Sequence, residues 1–394
     1  MNLAIVPFHD WRKILVEGNR TRDAHFIEYF REKDEIDKLI IINRPLTYAE
    51  LLIKKKFKKI PGQVVLSHKG CRLIKIDQKT FVIDFISNQS LQQIIQKRDW
   101  YLTAFCDNRY VVFIQQCLDF LDIQNINYLS HNIYSSYLFK ALTPSMLIFD
   151  AYDNVVKFPF AKSHLEKLSL AYSEYKNTAK MWLTNSQSNL DYYKINYQVS
   201  NINIIKNGVS FSNFRNLKSY VPEDLIKIKG PIIGFGGKIT HLFDVNLYNY
   251  LLDEHTDKSF VIVGQVINKE IFEKIHKSPN FYYLGDKNYL DYPNYVNSFD
   301  ICIVPYITND NAHGGDSIKA YEYLSVGKKT VGTIGNGLES LGDFLYLCAN
   351  HKEFSEQLFD TINNKEAFFD SKLSWKNKGD EIIAFFKSEI INIS

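Results

Sequence analysis

Short apolar runs rich in β-branched residues alternate with longer amphipathic stretches along most of the chain, and this alternation constrains the fold most. In the first half, helical spacing at 24–31 and 91–98 separates apolar runs at 3–6, 38–43, 100–105 and 146–150. A second series comprises 231–237, 259–264, 280–285, 300–305 and 329–333. Strands that alternate with helices form parallel sheets with both faces covered. The chain is therefore predicted to be an α/β protein of two doubly wound, Rossmann-like domains facing a cleft.

The two series place the domain boundary near residue 218. The 394 residues suit two domains at roughly 150 residues each. We expect domains at 1–218 and 219–377. The last segment, 378–394, is predicted to be a helix that can pack back on the first domain. The run 63–86 has several β-like segments with little helix between them, typical of a hairpin or an irregular sheet edge.

Composition and charge exclude several classes of protein. With 47 Lys+Arg against 44 Asp+Glu, the net charge of +3 is too small for a dedicated nucleic-acid binder. The five cysteines are an odd number without a C-x-x-C pair, which argues against a disulfide framework or a zinc ribbon. No apolar run approaches the ~18 residues of a membrane span, and the start of the sequence is not expected to be a secretory leader. A cytoplasmic protein without metal or cofactor is expected.

The segment 313–331 carries the most informative chemistry. Gly314 and Gly315 permit close backbone approach to a ligand, and Asp316 and Ser317 are typical caps of a helix that follows them. A helix start carries a partial positive charge, so this pattern predicts an anion site.

Lys319 and Glu322 lie three residues apart and therefore share one face of that helix. An ammonium group one turn inside the helix suits a phosphate, and a carboxylate beside it suits two ribose hydroxyls. The pair by itself also fits an ordinary exposed Lys/Glu pair on a capped helix.

The residues around this pair resemble the K-x-x-E-Y-L-A-x-G-K-P-V-V signature of GT-B glycosyltransferases. The likeness is to family 4-like bacterial polysaccharide enzymes, including teichuronic-acid transferases and the xanthan glucuronosyltransferase. Further segments of this kind follow in the family's order and spacing: 203–209, 234–244, 259–264, 283–285, 293–296 and 299–305. The resemblance implies a GT-B fold in which the first domain binds the acceptor and the second binds a nucleotide sugar.

The same resemblance implies roles for residues of the second domain. Lys319 would contact the donor diphosphate and Glu322 the ribose. Gly236, Gly237 and Lys238 would line the phosphate side, and the segment from Gly285 to Tyr289 would cover the base.

Three positions depart from the family pattern. Gly314 stands where many retaining members carry the first Glu of E-x7-E, Lys329 replaces the usual proline, and Ser210 replaces an Asp. An inverting enzyme, or one that uses His313 or Asp316 instead, would fit these departures, and the stereochemical outcome stays open.

In the first domain, Asp150 and Asp153 follow a predicted strand and resemble an acidic segment of the family. We expect Asp153 to be the general base for an acceptor hydroxyl and Asp150 to orient it or a nearby chain. The alternative is that one carboxylate caps the following turn and the other pairs with an arginine.

The first crossover is a second candidate region. Trp11 would stack on a sugar ring, and Arg20 or Arg22 would offset phosphate or acceptor charge. Alternatively, Asp23 is only a helix N-cap and the arginines are solvated. His131 also falls at a predicted strand end, where a single histidine is more often structural.

Five lysines lie within 51–60 among apolar residues: Lys54, Lys55, Lys56, Lys58 and Lys59. A basic amphipathic helix is typical of binding to an anionic membrane surface, although a solvated helix face is the plainer alternative.

The resulting prediction is a metal-independent glycosyltransferase that moves a sugar from a nucleotide diphosphate, UDP above all, to a saccharide acceptor. The resemblance implies a lipid-linked acceptor in bacterial surface polysaccharide assembly, such as capsule, O-antigen or exopolysaccharide, on the inner face of the membrane. A non-catalytic sugar-nucleotide-binding scaffold and a sugar-nucleotide epimerase are the other hypotheses.

Overall fold

The computed structural model describes residues 1–53, 59–215, 220–307, 315–366, 368 and 371–391, and its contacts divide the chain into two compact units. Unit 1 consists of Met1–Ile205 and the chain from Gly379 onward, and unit 2 is Lys206–Lys378. The boundary between the units lies after Ile205, before the predicted boundary near residue 218, because the loop that follows Ile205 is bonded to unit 2. The Asn207 backbone N–H donates to the Asp316 carboxylate at 2.7 Å, and Val209 is part of the unit 2 core.

Unit 1 is built on a ten-stranded sheet. Its strands are β1 Asn2–Val6, β2 Lys38–Ile42, β3 Leu46–Thr47, β4 Gln63–His68, β5 Cys71–Lys75, β6 Thr80–Ser87, β7 Asn127–Ser130, β8 Leu147–Asp150, β9 Met181–Thr184 and β10 Ile202–Ile204. The main order is β10-β9-β8-β7-β1-β2-β6-β5-β4, with β3 pairing β6. The central strands pair in parallel, so their carboxyl ends reach one edge. Among the described strands of this sheet, β4–β5 and β5–β6 pair antiparallel and the others pair in parallel, which makes 63–86 a meander at the sheet edge.

The helices of unit 1 cover this sheet. They are α1 Trp11–Glu17, α2 Arg22–Glu32, α3 Tyr48–Ile53, α4 Ser90–Gln96, α5 Trp100–Phe105, α6 Asn108–Phe120, α7 Ser136–Leu142, α8 Leu165–Thr178 and α9 Gln187–Tyr197. The predicted strand at 100–105 is wrong, since these residues form α5. Their aromatic composition favours a strand, but the backbone is helical and buries Trp100, Leu102, Ala104 and Phe105.

Unit 2 is built on a six-stranded parallel sheet in the order β13-β12-β11-β14-β15-β16. The strands are β11 Ile232–Gly236, β12 Ser259–Val263, β13 Phe281–Tyr283, β14 Ile301–Val304, β15 Lys329–Thr333 and β16 Tyr346–Cys348. The helices are α10 Phe211–Arg215, α11 Glu223–Ile226, α12 Val245–Glu254, α13 Lys269–Glu273, α14 Tyr292–Ser298, α15 Ile318–Ser325 and α16 His351–Glu356. Strands β11, β12, β14 and β15 are buried throughout, as expected for a sheet covered on both faces.

Two separate helices lie near the end of the chain. Helix α16 ends at Glu356, and the last helix, α17, spans Trp375–Ile391. Within unit 1, Gly379 lies against Tyr29 so closely that a Cβ would stand 2.1 Å from the ring, and Lys33 donates to Asp380 at 2.6 Å. No helix in the described ranges is long and apolar enough to cross a membrane.

Candidate functional sites

In unit 2, three glycine turns meet where β11, β12 and β13 end. The Gly237 N–H donates to the Val263 carbonyl at 2.8 Å, and the Gly264 N–H donates to the Gly285 carbonyl at 2.9 Å. A Cβ on Gly264 would stand 1.9 Å from the Gly237 carbonyl oxygen. The backbones therefore pack against each other directly, at the edge of a parallel sheet where ligands bind in such folds.

Lys319 lies at this edge in the first turn of α15. Its Cε would be 1.8 Å from a Cβ at Gly237, so the lysine side chain occupies the space left by the glycine. The Lys319 Nζ donates to the Tyr306 hydroxyl at 2.6 Å. The structure thus brings together two predicted donor-site residues, and it sets a half-buried cation beside a glycine turn.

Glu322 lies on the same helix and is 4% exposed. It accepts a hydrogen bond of 2.6 Å from the Tyr289 hydroxyl, so the segment after Gly285 does reach the predicted ribose-binding carboxylate. The Tyr289 ring itself is buried and lies parallel to Tyr292, with ring centroids 6.1 Å apart. The Tyr289 ring is therefore not exposed for stacking against the base of a nucleotide.

The other glycines of the predicted phosphate side differ in role. Gly236 packs against tyrosines: its N–H donates to the Tyr323 hydroxyl at 2.8 Å, and a Cβ would stand 2.2 Å from the Tyr292 hydroxyl. Gly285 has a φ of +76° with open space around it, so only its backbone conformation requires glycine. Lys238, next to Gly237, is half-buried.

The start of α15 combines a structural carboxylate with a buried hydroxyl. Asp316 accepts from the Asn207 backbone N–H and, at 2.9 Å, from the Tyr321 hydroxyl, so it holds the first loop of unit 2. Gly315 is buried beside Gly337. Ser317 is 9% exposed, and its Oγ makes no hydrogen bond with any described residue. Gly314, like His313, lies outside the described residues.

In unit 1, Asp150 ends β8 inside a buried ion-pair cluster. Arg22 in α2 donates to it from Nε at 2.7 Å and from a terminal nitrogen at 3.2 Å. His131 Nδ1 lies 3.0 Å from the same carboxylate. Burial by itself would raise the pKa of Asp150, but the contacts with Arg22 and His131 together outweigh burial, and the net pKa is lowered. Asp150 therefore pairs with an arginine, which was one of the alternatives for the two carboxylates. The structure brings together three residues predicted for the site: Asp150, Arg22 and His131.

Asp153 lies three residues further, half-buried, in a different electrostatic setting. Loss of hydration raises its pKa to about 6. The positive charges of His9 and Arg22 oppose this rise, whereas the carboxylates of Asp150 and Asp23 add to it. A carboxyl group with such a pKa is suited to accept a proton near neutral pH.

A second proton acceptor of unit 1 did not emerge from the sequence. His9, after β1, has its Nδ1 3.1 Å from the Asp23 carboxylate, and its backbone N–H donates to the same group at 3.0 Å. Asp23 is fully buried, and its pKa is lowered despite that burial, chiefly by His9. It belongs to the first turn of α2 and is not the N-cap, which is Thr21. An imidazole that is oriented by a buried carboxylate is a typical arrangement of a general base. His9 and Asp23 are 14 residues apart in the sequence, and only the folded structure brings them into contact.

Two residues of the first crossover take other roles. Trp11 is 3% exposed and packs in the core at the start of α1, so its ring has no open face for a sugar. Arg20 donates from Nε and a terminal nitrogen to the Glu17 carbonyl, at 3.1 and 3.0 Å, and so holds the end of α1.

The lysine run falls mostly outside the described residues, which include Lys59 but not 54–58. Lys59 is exposed. Within the described part of the chain, no three His, Cys, Asp or Glu side chains are grouped to hold a metal ion.

Comparison with solved structures identifies the fold. Sucrose-phosphate synthase from Thermosynechococcus elongatus superposes with a TM-score of 0.68 at 10% identity over all of both chains. A trehalose 6-phosphate synthase from Burkholderia multivorans gives 0.67 at 9% identity, again over all of both chains. Anabaena HepE, solved with UDP and glucose, gives 0.62 at 12% identity over 98% of this chain and 100% of that one. The chain has the GT-B fold.

In sequence, the chain is similar to a Bacillus subtilis protein assigned as a teichuronic acid biosynthesis glycosyltransferase, TuaH. The two are 26% identical over 135 residues, 34% of this chain and 34% of that protein. The match thus spans about a third of the curated relative. No family model matches the chain. The resemblance to GT-B glycosyltransferases, teichuronic-acid enzymes among them, is confirmed.

Proposed function

We propose that this protein is a glycosyltransferase that transfers a sugar from a nucleotide diphosphate, UDP above all, to a hydroxyl group of a saccharide. One observation carries the proposal: the Lys319 side chain lies against Gly237 at the carboxyl edge of the unit 2 sheet, and buried Glu322 follows on the same helix. The GT-B fold and the similarity to a teichuronic acid glycosyltransferase support it.

Each group at this edge has a role in binding the donor. Lys319 neutralises diphosphate charge, and the N-terminus of α15 adds its partial positive charge. The buried Ser317 hydroxyl offers a hydrogen bond to a phosphate oxygen. Glu322, supported by the Tyr289 hydroxyl, accepts hydrogen bonds from the ribose. Because the lysine and the helix stabilise the leaving diphosphate, the proposed reaction needs neither a metal ion nor a cofactor.

Unit 1 supplies the acceptor chemistry in this proposal. Asp153 removes the proton from the acceptor hydroxyl, the oxygen bonds to the anomeric carbon, and the bond from that carbon to the diphosphate breaks. Asp150 stays ionised and holds Arg22 and His131 in place. His9, oriented by Asp23, is the second candidate for the base. NMR of the product will give the configuration at the anomeric carbon, which is either inverted or retained relative to the donor.

For the acceptor, we propose a lipid-linked saccharide in bacterial surface polysaccharide assembly, with the enzyme on the inner face of the cell membrane. The support is the name of the Bacillus subtilis relative and the lysine run at 54–59. Several structural neighbours are by name synthases of sugar phosphates, and one was solved with glucose-6-phosphate, so sugar phosphates belong among the acceptors tested.

The purified chain should be tested with a panel of UDP-sugars, first by thermal shift and then with lipid-linked saccharides and sugar phosphates. We expect one donor to stabilise the protein and a glycoside to form with one acceptor class. Lys319→Ala should abolish turnover, whereas Lys269→Ala, an exposed lysine on α13, should not. Full activity of Lys319→Ala would overturn the site. Binding without turnover would indicate a scaffold, and release of an epimerised sugar without acceptor would indicate an epimerase.

A further inference from the structure

Two neighbouring helices of unit 1 turn their aliphatic side chains outward. Helix α3 spans Tyr48–Ile53 and helix α4 spans Ser90–Gln96, and no residue of α4 is buried. The exposed aliphatic residues of this α3–α4 face, with their exposed fractions, are Leu52 (76%), Ile53 (77%), Leu91 (66%), Ile94 (63%) and Ile95 (70%). A contiguous exposed apolar patch usually marks an interaction surface, whereas single exposed residues do not.

The polar side chains of the same helices face each other in the interior. Gln93 of α4 donates to the Glu50 carboxylate of α3 at 2.7 Å, and the Ala49 N–H donates to the Ser90 hydroxyl at 3.3 Å. Glu50 also accepts from Arg44 at 2.8 Å. These bonds fix the rotation of both helices, so the outward position of the leucines and isoleucines is enforced by the buried polar network.

The charge at this face has one sign. Glu50 is the only carboxylate on the two helices, and it is buried and paired. Lys97 and Arg98 follow α4 directly and are exposed, and the next residue, Asp99, is half-buried and pairs with Lys167. An apolar face bordered by cations and free of exposed carboxylates complements an anionic lipid surface.

We propose that the α3–α4 face is a docking surface that inserts its aliphatic side chains into the interfacial region of an anionic bilayer. Protein–protein interfaces concentrate their binding energy in tryptophan, tyrosine and arginine. Apart from Tyr48, which is 53% exposed on α3, the exposed apolar residues of this face are leucine and isoleucine. The inference gives the membrane association proposed above a specific surface. Its evidence is the exposed face of α3 and α4, and it does not depend on the chemistry of the donor site.

The test is co-sedimentation of the full chain with vesicles of phosphatidylcholine alone or with one third phosphatidylglycerol. We expect binding to the anionic vesicles and an about tenfold or greater loss of partitioning in Ile53→Gln/Ile94→Gln. Lys97→Glu/Arg98→Glu should weaken binding to the anionic vesicles further than to the neutral ones. Ile195→Gln, at 77% exposure on α9, is the matched control and should bind like wild type.

Circular dichroism should show all variants folded, since each substitution is at an exposed position. The donor-site variant Lys319→Ala should still bind vesicles, which separates failure of docking from failure of the proposed reaction. No binding by the wild type, or an equal loss in Ile195→Gln, would overturn the inference. So would a concentration-dependent dimer that Ile53→Gln/Ile94→Gln abolishes without any lipid binding, because the face would then belong to a second copy.

Discussion

Arg22 and Asp150 are 128 residues apart in the chain, yet the Arg22 Nε donates to the Asp150 carboxylate at 2.7 Å inside unit 1. Both side chains are at most 1% exposed. The pair joins the first turn of α2 to the end of β8, and it lies beside His131. It is therefore the element that positions the acidic segment of the proposed acceptor site.

Removing one member of this pair should destabilise the fold. Arg22→Met leaves a buried carboxylate without its guanidinium, which costs about 3–5 kcal/mol, measured by urea unfolding. The control is Arg31→Met, which breaks a half-exposed pair with Asp77 and should cost under about 1 kcal/mol. Equal losses in the two variants would mean that the Arg22–Asp150 pair has no special role.

The same pair should make the stability of the protein depend on pH in the acidic range. The pKa of Asp150 is lowered in the folded protein, so its contribution to stability is present above the unfolded pKa of about 3.9 and is lost as the pH falls through the folded value. In Asp150→Asn this acid-dependent part of the unfolding free energy should be missing. Unfolding measured from pH 7 down to pH 3 with identical slopes for wild type and variant would contradict the assignment.

Activity should depend on the protonation of Asp153. With a pKa raised to about 6, this carboxyl must lose its proton to act as base, so kcat/KM should rise with pH through about 6. Asp153→Asn should lower kcat/KM by about 10² to 10⁴ and remove that step. If His9→Gln removes the step and Asp153→Asn keeps it, the His9–Asp23 pair is the base.

Gly237→Ala should weaken donor binding through Lys319. The added Cβ would lie 1.8 Å from the lysine Cε and displace the side chain. We expect a loss of UDP affinity of at least about tenfold by calorimetry, as for loss of one charge-assisted contact. Gly327→Ala is the control: its φ of +72° makes alanine cost about 1 kcal/mol of stability, but nothing lies near its Cβ. Its UDP affinity should therefore be unchanged.

Glu322 should make binding depend on the hydroxyl groups of the ribose. If its carboxylate accepts ribose hydroxyl protons, wild type should prefer UDP to 2′-deoxy-UDP, and Glu322→Gln should bind both about equally weakly. Tyr289→Phe removes the hydroxyl that donates to Glu322 and should reduce the preference in part. An undiminished preference in Glu322→Gln would exclude Glu322 from ribose recognition.

The strand pattern and the motif of α15 could be predicted from the sequence because both depend on local order. Buried strands such as β11, β12 and β14 appear as apolar runs, and the spacing of Lys319 and Glu322 sets their shared helix face. At 100–105 local composition was misleading, since tertiary burial made Trp100–Phe105 a helix. The predicted stacking of Trp11 on a sugar does not fit the structure, for a related reason. A large aromatic ring on an amphipathic helix can lie in the core or at a binding site, and the sequence does not distinguish the two. The packing of the whole unit buries Trp11.

Thus the sequence by itself determined the α/β class, the resemblance to glycosyltransferases and which residues of α15 are proposed to bind the donor. Only the tertiary structure decided which distant groups meet: Arg22 with Asp150, His9 with Asp23, Tyr289 with Glu322, and Lys319 with Gly237. The physical reason is that a charge or a hydroxyl acquires its partner, its burial and its pKa from the whole fold. A sequence motif specifies the group, whereas its environment is assembled from strands and helices far apart in the chain.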